Sequence, residues 1–177
     1  MYGEPFMVLN GIEIERLIKE NKLIEGYIDL EKQITPNGFD LTVEKIFLFK
    51  NRGAIDFSNK ERLLSEVKEI RPIKKSPQDK YGWWILKKGI YKIVSNEICN
   101  LPKNLIAISF PRSSLLRMGA FTQTGVWDAG FRGKSEFVLV VNNPRGIEIK
   151  QNARIVQLIF LEIEEVKEGY KGIYQNL

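Results

Sequence analysis

The chain has 177 residues, 44% of them hydrophobic, which is enough for one well-buried domain. Its 27 Lys and Arg residues outnumber its 22 Asp and Glu residues, but the acidic residues are spread through the chain and no long basic block occurs. The absence of histidine excludes a Ser-His-Asp triad and a histidine-containing zinc site, so any chemistry has to use carboxylates, arginines, hydroxyls or a metal ion.

Residues 1–33 are predicted to form an N-terminal helical extension. Asn10 can cap a helix that carries Ile14, Leu17 and Ile18 on one face. Glu13 lies three positions after the cap, where its charge favours the helix dipole. We expect this helix to end between positions 21 and 26.

From residue 34 onward, short β-branched and aromatic runs between turn residues predict strands. These runs lie at 39–49, 83–86, 89–94, 105–110, 136–141, 146–149 and 153–163. Their spacing favours a mostly β fold, a compact barrel or sandwich. Residues 52–80 are mostly polar and are predicted as an excursion with room for a short helix around 60–67.

The C-terminal arm, residues 168–177, carries glycines and tyrosines with little apolar periodicity. We predict that it is mobile and orders only against another surface. The whole chain, 1–177, is therefore expected to be one domain with an extension at one end and an arm at the other.

Cys99 is the single cysteine, so no intrachain disulfide can form and a reducing compartment is favoured. We expect its thiol to be a small buried side chain. No apolar run approaches the roughly 20 residues that span a bilayer, and the N-terminus lacks a secretory pattern. These features predict a cytoplasmic protein with no membrane partner.

Arg112, Ser113 and Ser114 follow an apolar strand, at the point where the chain enters a turn or helix. Hydroxyls, a forked guanidinium and free main-chain N–H groups at such a junction can replace the water around phosphate oxygens. The alternative is a surface cap with an ion-pairing arginine.

Asp128 is surrounded by small residues, including Gly125, Gly130 and Gly133. Small residues let a ligand approach the main chain closely, so this bend suits a binding pocket. A turn-forming aspartate is the alternative.

Three further residues also allow two interpretations. Phe131 is either a core ring or a flat wall for a sugar, and Gln157 interrupts an apolar strand, where its amide needs a partner in the protein or on a ligand. Asp40 is either a solvated strand-edge carboxylate or a contact to waters around a magnesium ion.

In order, spacing and identity, these stretches resemble the superfamily of trimeric dUTPases and dCTP deaminases, over roughly residues 7–177. Residues 39–41 resemble the first motif, 112–114 the second, 125–133 the third and 153–160 the fourth. Lys171 and Gln175 keep the spacing of the deaminase tail K-Y-x-x-Q, while Gly172 replaces its tyrosine.

One position separates the two activities of this superfamily. Ten residues after the motif-three aspartate, the deaminases have a glutamate that shuttles protons, and this chain has Val138. Losing a positioned acid–base group typically removes about 10² to 10⁴ in rate. Glu136 would sit about 7 Å away along a strand, too far to substitute. The resemblance is therefore closest to a monofunctional, archaeal-type dUTPase of the deaminase-like branch.

The resemblance implies a β-barrel homotrimer with three pockets at subunit boundaries that hydrolyses dUTP to dUMP and pyrophosphate and so keeps uracil out of DNA. It implies that Asp128 is the general base and that Mg²⁺ is bound across the triphosphate, with Asp40 contacting it through water. The substrate-binding residues that it implies are Arg112, Ser113, Ser114, Arg117, Gly125, Phe131, Gln157, Lys171, Tyr174 and Gln175.

Three alternatives stay open. They are a dCTP deaminase with an unexpected acid–base residue, a dUTP-binding regulator without turnover, and a nucleic-acid binder suggested by the basic balance and by Trp83 and Trp84. Tryptophans of this kind more often belong to a core, and no recognised nucleic-acid motif accompanies them, so we predict no nucleic-acid partner.

Overall fold

Antiparallel strands are the dominant element of residues 7–176, the part of the chain that the computed structural model describes. The helices are α1 (Gly11–Asn21), α2 (Leu30–Gln33) and α3 (Ser113–Arg117). The strands are β1 (Ile24–Glu25), β2 (Ile34–Thr35), β3 (Gly38–Phe49), β4 (Val67–Ile70), β5 (Trp83–Leu86), β6 (Gly89–Asn100), β7 (Leu105–Pro111), β8 (Ala120–Gln123), β9 (Arg132–Val141), β10 (Ile147–Lys150) and β11 (Arg154–Glu162). Within these residues, no helix has the length and apolar character needed to cross a membrane.

The main sheet curls into a nearly closed barrel. Its strands run in the order β7-β11-β3-β6-β9-β8, and β1, β2 and β4 add short pairings to β6 and β3. The two ends of this order meet where Ala107 in β7 exchanges both main-chain hydrogen bonds with Trp127, at 3.0 and 2.9 Å. Strands β5 and β10 form a separate ribbon. The predicted β-barrel fold is therefore confirmed.

Helix α1 forms as its sequence predicts. The Asn10 side chain accepts a hydrogen bond from the Glu13 N–H at 3.0 Å, and Ile14 and Ile18 are buried against the barrel. Lys22 ends the helix in the left-handed region, at φ 55°. The start, the buried face and the end of this helix all agree with the prediction.

The rest of the extension is tied to the barrel by a buried carboxyl group. Glu97, in β6, is fully buried and accepts hydrogen bonds from Gln33 Nε2 at 2.7 Å and from the Thr42 N–H at 3.0 Å. The same Gln33 amide donates to the main-chain oxygen of Asp40 at 2.9 Å. Burial raises the pKa of Glu97, and its hydrogen bonds from Thr42 and Gln33 oppose that shift.

The short helix expected around residues 60–67 is wrong. Ala54 and Leu63 exchange main-chain hydrogen bonds at 2.8 and 2.9 Å, and β4 begins at Val67. The Asp56 carboxylate accepts from the N–H groups of Ser58 and Glu61 at 3.0 and 3.1 Å. These local side-chain bonds hold the main chain in a turn that competes with a helix.

Strand β6 is six residues longer than the run predicted at 89–94. Its second half begins with Ser95, Asn96 and Glu97, whose polarity hides the strand in the sequence. Their side chains make hydrogen bonds inside the protein, where the pairing of β6 with β9 shifts register between Val94 and Ile98. Strands β4 and β8 were not predicted from the sequence.

The two neighbouring tryptophans have different environments. Trp84 is a core residue whose indole donates to the Ile70 carbonyl at 2.6 Å. Trp83 is half-buried, with Lys75 and Lys150 placing their ammonium groups 4.4 and 5.3 Å from its ring centre. Cys99 is fully buried as predicted, and burial raises the pKa of its thiol to about 12.

Candidate active site

Eight of the twelve predicted site residues line two clefts, and these clefts share no lining residue. The larger, here called the Asp128 cleft, has a volume of about 660 Å³ and includes Gly125, Asp128, Phe131 and Tyr174 among the residues that line it. The smaller, the Arg112 cleft, has a volume of about 330 Å³. It is lined by Thr35, Asp40, Pro111, Arg112, Ser113, Leu116 and Gln157.

Asp128 directly follows Trp127, a residue that is fixed by hydrogen bonds of its main chain and its side chain. Trp127 is buried, its main chain pairs with Ala107, and its indole Nε1 donates to Ser135 Oγ at 2.9 Å. Asp128 itself is exposed, and its carboxylate makes no hydrogen bond or ion pair within residues 7–176. This carboxylate is therefore free to bind a water molecule or a ligand hydroxyl.

Phe131 follows Asp128 through a tight turn. The Phe131 N–H donates to the Asp128 carbonyl at 3.0 Å, and Gly130 adopts φ +81°, which favours glycine. Phe131 packs partly against the core and keeps part of its ring in the Asp128 cleft. Phe131 is therefore partly a core ring, and the part in the cleft is available to a ligand.

One wall of the Asp128 cleft is apolar and comes from the excursion. Ile55, Leu63 and Leu64 line it, together with Phe49 from the end of β3. This wall was not predicted from the sequence. The excursion is mostly polar, and its few apolar residues show neither helical nor strand periodicity.

Val138 faces the Asp128 cleft from β9, where it pairs with Gln123 in β8. The position that carries an acid–base glutamate in deaminases thus points into this cleft, and here it has no group that can carry a proton. Glu136 also lines the cleft, but its carboxylate is paired with Lys92 at 2.6 Å. Both findings agree with the sequence-based argument against deamination.

The Arg112 cleft contains a buried carboxylate between two arginines. Asp40 is 1% exposed, and its Oδ2 lies 3.0 Å from Arg112 Nε and 3.4 Å from Arg154 Nη1. Burial raises the pKa of Asp40, and the two guanidinium groups oppose that shift. Asp40 is therefore not the solvated strand-edge residue that the sequence left open, and Arg154 is a neighbour that the sequence did not predict.

The geometry of this cleft depends on close contact between β3 and β11. A Cβ atom at Gly38 would lie 2.2 Å from the Leu158 carbonyl oxygen, so only glycine fits at the start of β3. Next to it, the Gln157 amide donates to Thr35 Oγ1 at 2.8 Å and lines the cleft. Gln157 thus has the hydrogen-bond partner that a polar side chain in an apolar strand needs, and this partner belongs to the protein.

Four predicted substrate-binding residues line neither cleft: Ser114, Arg117, Lys171 and Gln175. Ser114 and Arg117 lie on α3, and both are exposed. Lys171 is exposed and paired with Glu168 at 2.8 Å, whereas the Gln175 side chain contacts the main chain of Gly130 and Arg132. The C-terminal arm thus lies on its own chain, while its mobility stays a prediction.

The side chains around the Arg112 cleft suit magnesium only when the ion is bound to phosphates. Over residues 7–176 there is no group of three or more acidic or thiol side chains that could hold a metal ion. The Arg112 cleft has one carboxylate and two arginines around it, a net positive charge that suits an anion. Asp40 Oδ1 is buried and has no hydrogen-bond partner among the described residues, so it could accept from the water shell of an ion that arrives on phosphates.

The chain belongs to the dCTP deaminase-like family, whose family model matches residues 8–163. A relative from Methanosarcina mazei, 50% identical over 171 residues and 96% of both chains, is named a probable deoxyuridine 5'-triphosphate nucleotidohydrolase. The deoxyuridine 5'-triphosphate nucleotidohydrolase of Methanocaldococcus jannaschii is 41% identical over 82% of this chain and 89% of its own.

A solved structure shares the fold. The 2'-deoxycytidine 5'-triphosphate deaminase of Agrobacterium tumefaciens matches 89% of this chain with a TM-score of 0.62 and 18% identity. The chain spans about half of that protein's length, 48%. At this identity the likeness concerns the fold alone.

Proposed function

We propose that this protein hydrolyses dUTP to dUMP and pyrophosphate. The observation that carries the proposal is the unpaired, exposed Asp128 carboxylate beside Phe131, in a cleft where Val138 takes the place of an acid–base residue. The archaeal relatives named for this reaction support dUTP as the substrate, and five of them match 96% of the chain at 42–50% identity.

In the proposed reaction, Asp128 orients a water molecule and takes its proton. The water oxygen bonds to the α-phosphorus, the bond from that phosphorus to the bridging oxygen of the β-phosphate breaks, and pyrophosphate leaves with that oxygen. A second lone pair of the Asp128 carboxylate accepts a hydrogen bond from the sugar 3'-hydroxyl. Most of the rate enhancement comes from positioning and charge stabilisation, because phosphoryl transfer requires little covalent work from the protein.

The base and the sugar are recognised around the same turn. The main chain between Phe121 and Trp127 supplies donors and acceptors to the uracil edge. The Phe131 ring packs under the deoxyribose and leaves no room for a 2'-hydroxyl. Gly125 is open on its Cβ side, where no atom lies within 4 Å, so the main chain there is accessible to the base.

The triphosphate is held by the Arg112 cleft. Arg112, Ser113 and Ser114 contact phosphate oxygens, assisted by Gln157. Arg117 and Lys171 are exposed cations that can approach from outside. Magnesium bound to the phosphates would have Asp40 Oδ1 as an acceptor for one of its waters, and its charge would stabilise the leaving pyrophosphate.

We further propose that three copies assemble and that each complete site combines the Asp128 cleft of one subunit with the Arg112 cleft of another. The support is that the two clefts of one chain share no lining residue. Sedimentation should give three times the chain mass of 20.5 kDa. Asp128→Asn and Arg112→Ala are unfolded and refolded together and assayed at a dUTP concentration far below the raised KM. The mixture should regain part of the wild-type rate, whereas each variant refolded alone should keep its own reduced rate.

A substrate panel tests the activity. Pyrophosphate and ammonia release are measured with dUTP, dCTP, dTTP and UTP in the presence of Mg²⁺. We expect pyrophosphate from dUTP and no ammonia from dCTP. Ammonia from dCTP at a comparable rate would identify a deaminase, and tight dUTP binding without any release would identify a regulator.

We also propose a cytoplasmic location. The support is the single cysteine, which is buried and free. Fractionation of native cells with an antibody against the protein would test it.

A further inference from the structure

The side chain of Gln175 holds the main chain on both sides of Phe131. Its Oε1 accepts from the Arg132 N–H at 3.0 Å, and its Nε2 donates to the Gly130 carbonyl at 3.0 Å. An acceptor and a donor placed in this way imitate the pairing of a neighbouring β-strand. The oxygen of Gln175 and one of its N–H bonds are therefore already engaged by the protein.

Main-chain bonds from the C-terminal arm extend this contact. The Tyr170 N–H donates to the Ala129 carbonyl at 2.8 Å, and the Asn176 N–H donates to the Arg132 carbonyl at 2.7 Å. The arm thus binds residues 129–132, the four residues that directly follow Asp128.

Two glycines allow the arm to lie this close. A Cβ atom on Gly130 would come within 2.7 Å of the Gly169 Cα, and one on Gly169 within 3.0 Å of the Gly130 Cα. Beside this crossing, the Tyr170 ring packs edge-to-face on Phe131, with ring centres 5.5 Å apart.

We propose that Gln175 is a positioning residue that sets the turn carrying Asp128 and Phe131, rather than a ligand of the phosphates. This inference rests on the proposed function, in which Asp128 activates water and Phe131 supports the sugar. Lys171 provides the contrast, because it is exposed and bonded only to Glu168 within residues 7–176, so it can turn toward a phosphate.

The nucleotide experiment compares Gln175→Ala with Lys171→Ala, using dUMP and a non-cleavable dUTP analogue. dUMP lacks the β- and γ-phosphates. If Gln175 positions the turn, Gln175→Ala should weaken both ligands by a similar factor of about tenfold, the loss expected for one to two net hydrogen bonds, and should lower kcat. Lys171→Ala should weaken only the dUTP analogue and should leave the affinity for dUMP unchanged.

Hydrogen exchange of the ligand-free protein provides a readout that needs no nucleotide. The Arg132 amide donates to Gln175, so it should exchange faster in Gln175→Ala and stay protected in Lys171→Ala. Gly169→Val, which crowds the arm away from Gly130 and keeps Gln175, should reproduce the exchange change and the loss of dUMP binding. It also replaces Gln175→Ala should that variant fail to fold.

The outcomes separate the two proposals. If Gln175→Ala loses affinity for the dUTP analogue while dUMP binding and Arg132 exchange stay as in wild type, Gln175 is a phosphate ligand and the inference is overturned. If the wild-type protein hydrolyses none of the panel nucleotides, the proposed function fails, while unchanged Arg132 exchange in Gln175→Ala would separately disprove the role of the arm.

Discussion

The two clefts of this chain use carboxylates in opposite ways. In the Asp128 cleft the carboxylate is exposed and unpaired within the described residues, and the wall beside it is apolar. In the Arg112 cleft the carboxylate of Asp40 is buried and shares one oxygen with two arginines. In the proposed reaction, one fold thus separates the group that accepts a proton from the groups that compensate charge.

The difference follows from what surrounds each side chain. Asp128 projects from a turn whose main chain is held by Trp127, so its carboxylate needs no partner to stay in place. Asp40 is inside a sheet, where an unpaired charge would be strongly unfavourable, so its arginine partners are required. The first arrangement suits a reacting group and the second suits a binding surface.

The largest expected effect is that of Asp128→Asn. The amide keeps the shape of the side chain but cannot take a proton from water, so pyrophosphate release from dUTP should fall by about 10² to 10⁴ while dUTP binding persists. The matched control is Glu136→Gln, which removes an ion-paired carboxylate from the same cleft. Its rate should stay within about threefold of wild type. A comparable loss in both variants would break the distinction between the free and the paired carboxylate.

The next effect is that of Arg112→Ala on the KM for dUTP. A charge-assisted hydrogen bond is worth about 1.5–3 kcal/mol, so KM should rise by about 10- to 150-fold. Arg112→Lys should recover only part of this loss, because lysine lacks the guanidinium fork. Arg145→Ala, which removes a loop arginine, serves as the control. A fall in kcat with an unchanged KM would place Arg112 with the reacting groups instead of the binding surface.

Glu97→Gln should lower the free energy of unfolding by about 1–3 kcal/mol, since the amide cannot accept all the hydrogen bonds from Gln33 and Thr42. This change tests the Arg112 cleft selectively, because Gln33 also binds the Asp40 carbonyl. The measurement is urea unfolding, with the KM for dUTP and the affinity for dUMP measured beside it. A larger effect on dUMP binding than on KM would contradict this selectivity.

The same variant has a defined pH dependence. Burial raises the pKa of Glu97 above its ordinary value of 4.5, so the stability that this group contributes is complete below 4.5 and is lost as the pH rises through the raised pKa. Glutamine does not titrate. The advantage of the wild type over Glu97→Gln should therefore be larger at pH 4 than at pH 8, and the reverse trend would contradict the assignment.

The smallest effect concerns Cys99, which lies beneath the Asp128 cleft with its sulfur 3.5 Å from Ser135 Oγ. Full burial and a thiol pKa raised to about 12 predict that iodoacetamide does not modify the native protein at pH 8. Denatured protein is the control and should react completely. Rapid modification of the native protein would show that the support of Trp127 opens readily.

Local patterns predicted much of the barrel. Helix α1 has a side-chain cap and a periodic apolar face, and β3 is a long β-branched and aromatic run, so both could be located from neighbouring residues. The excursion could not be, because Asp56 holds a turn there that competes with the predicted helix. Strand β6 was cut short because Glu97 looks like a surface residue until Gln33 and Thr42 are known to surround it.

The division of the predicted site residues between two clefts could not be predicted from the sequence. Asp40 and Arg154 are 114 positions apart, and only the pairing of β3 with β11 brings them together. The family resemblance likewise gives Gln175 as a substrate-binding residue of the tail, while the structure places its amide on the turn after Asp128. Both contacts join residues that are far apart in the chain, and no local pattern encodes such contacts.

The hydrogen bonds of Gln33 limit how far the chain can be shortened from its N-terminus. A shortened version that starts after residue 33 would keep every strand of the main barrel path, yet it would leave the Glu97 carboxyl group without one of its donors and the Asp40 carbonyl without its bond from Gln33. The smallest fragment able to fold stably should therefore include the segment before β3, and proteases that cut between α1 and α2 should release pieces that stay associated until they are denatured.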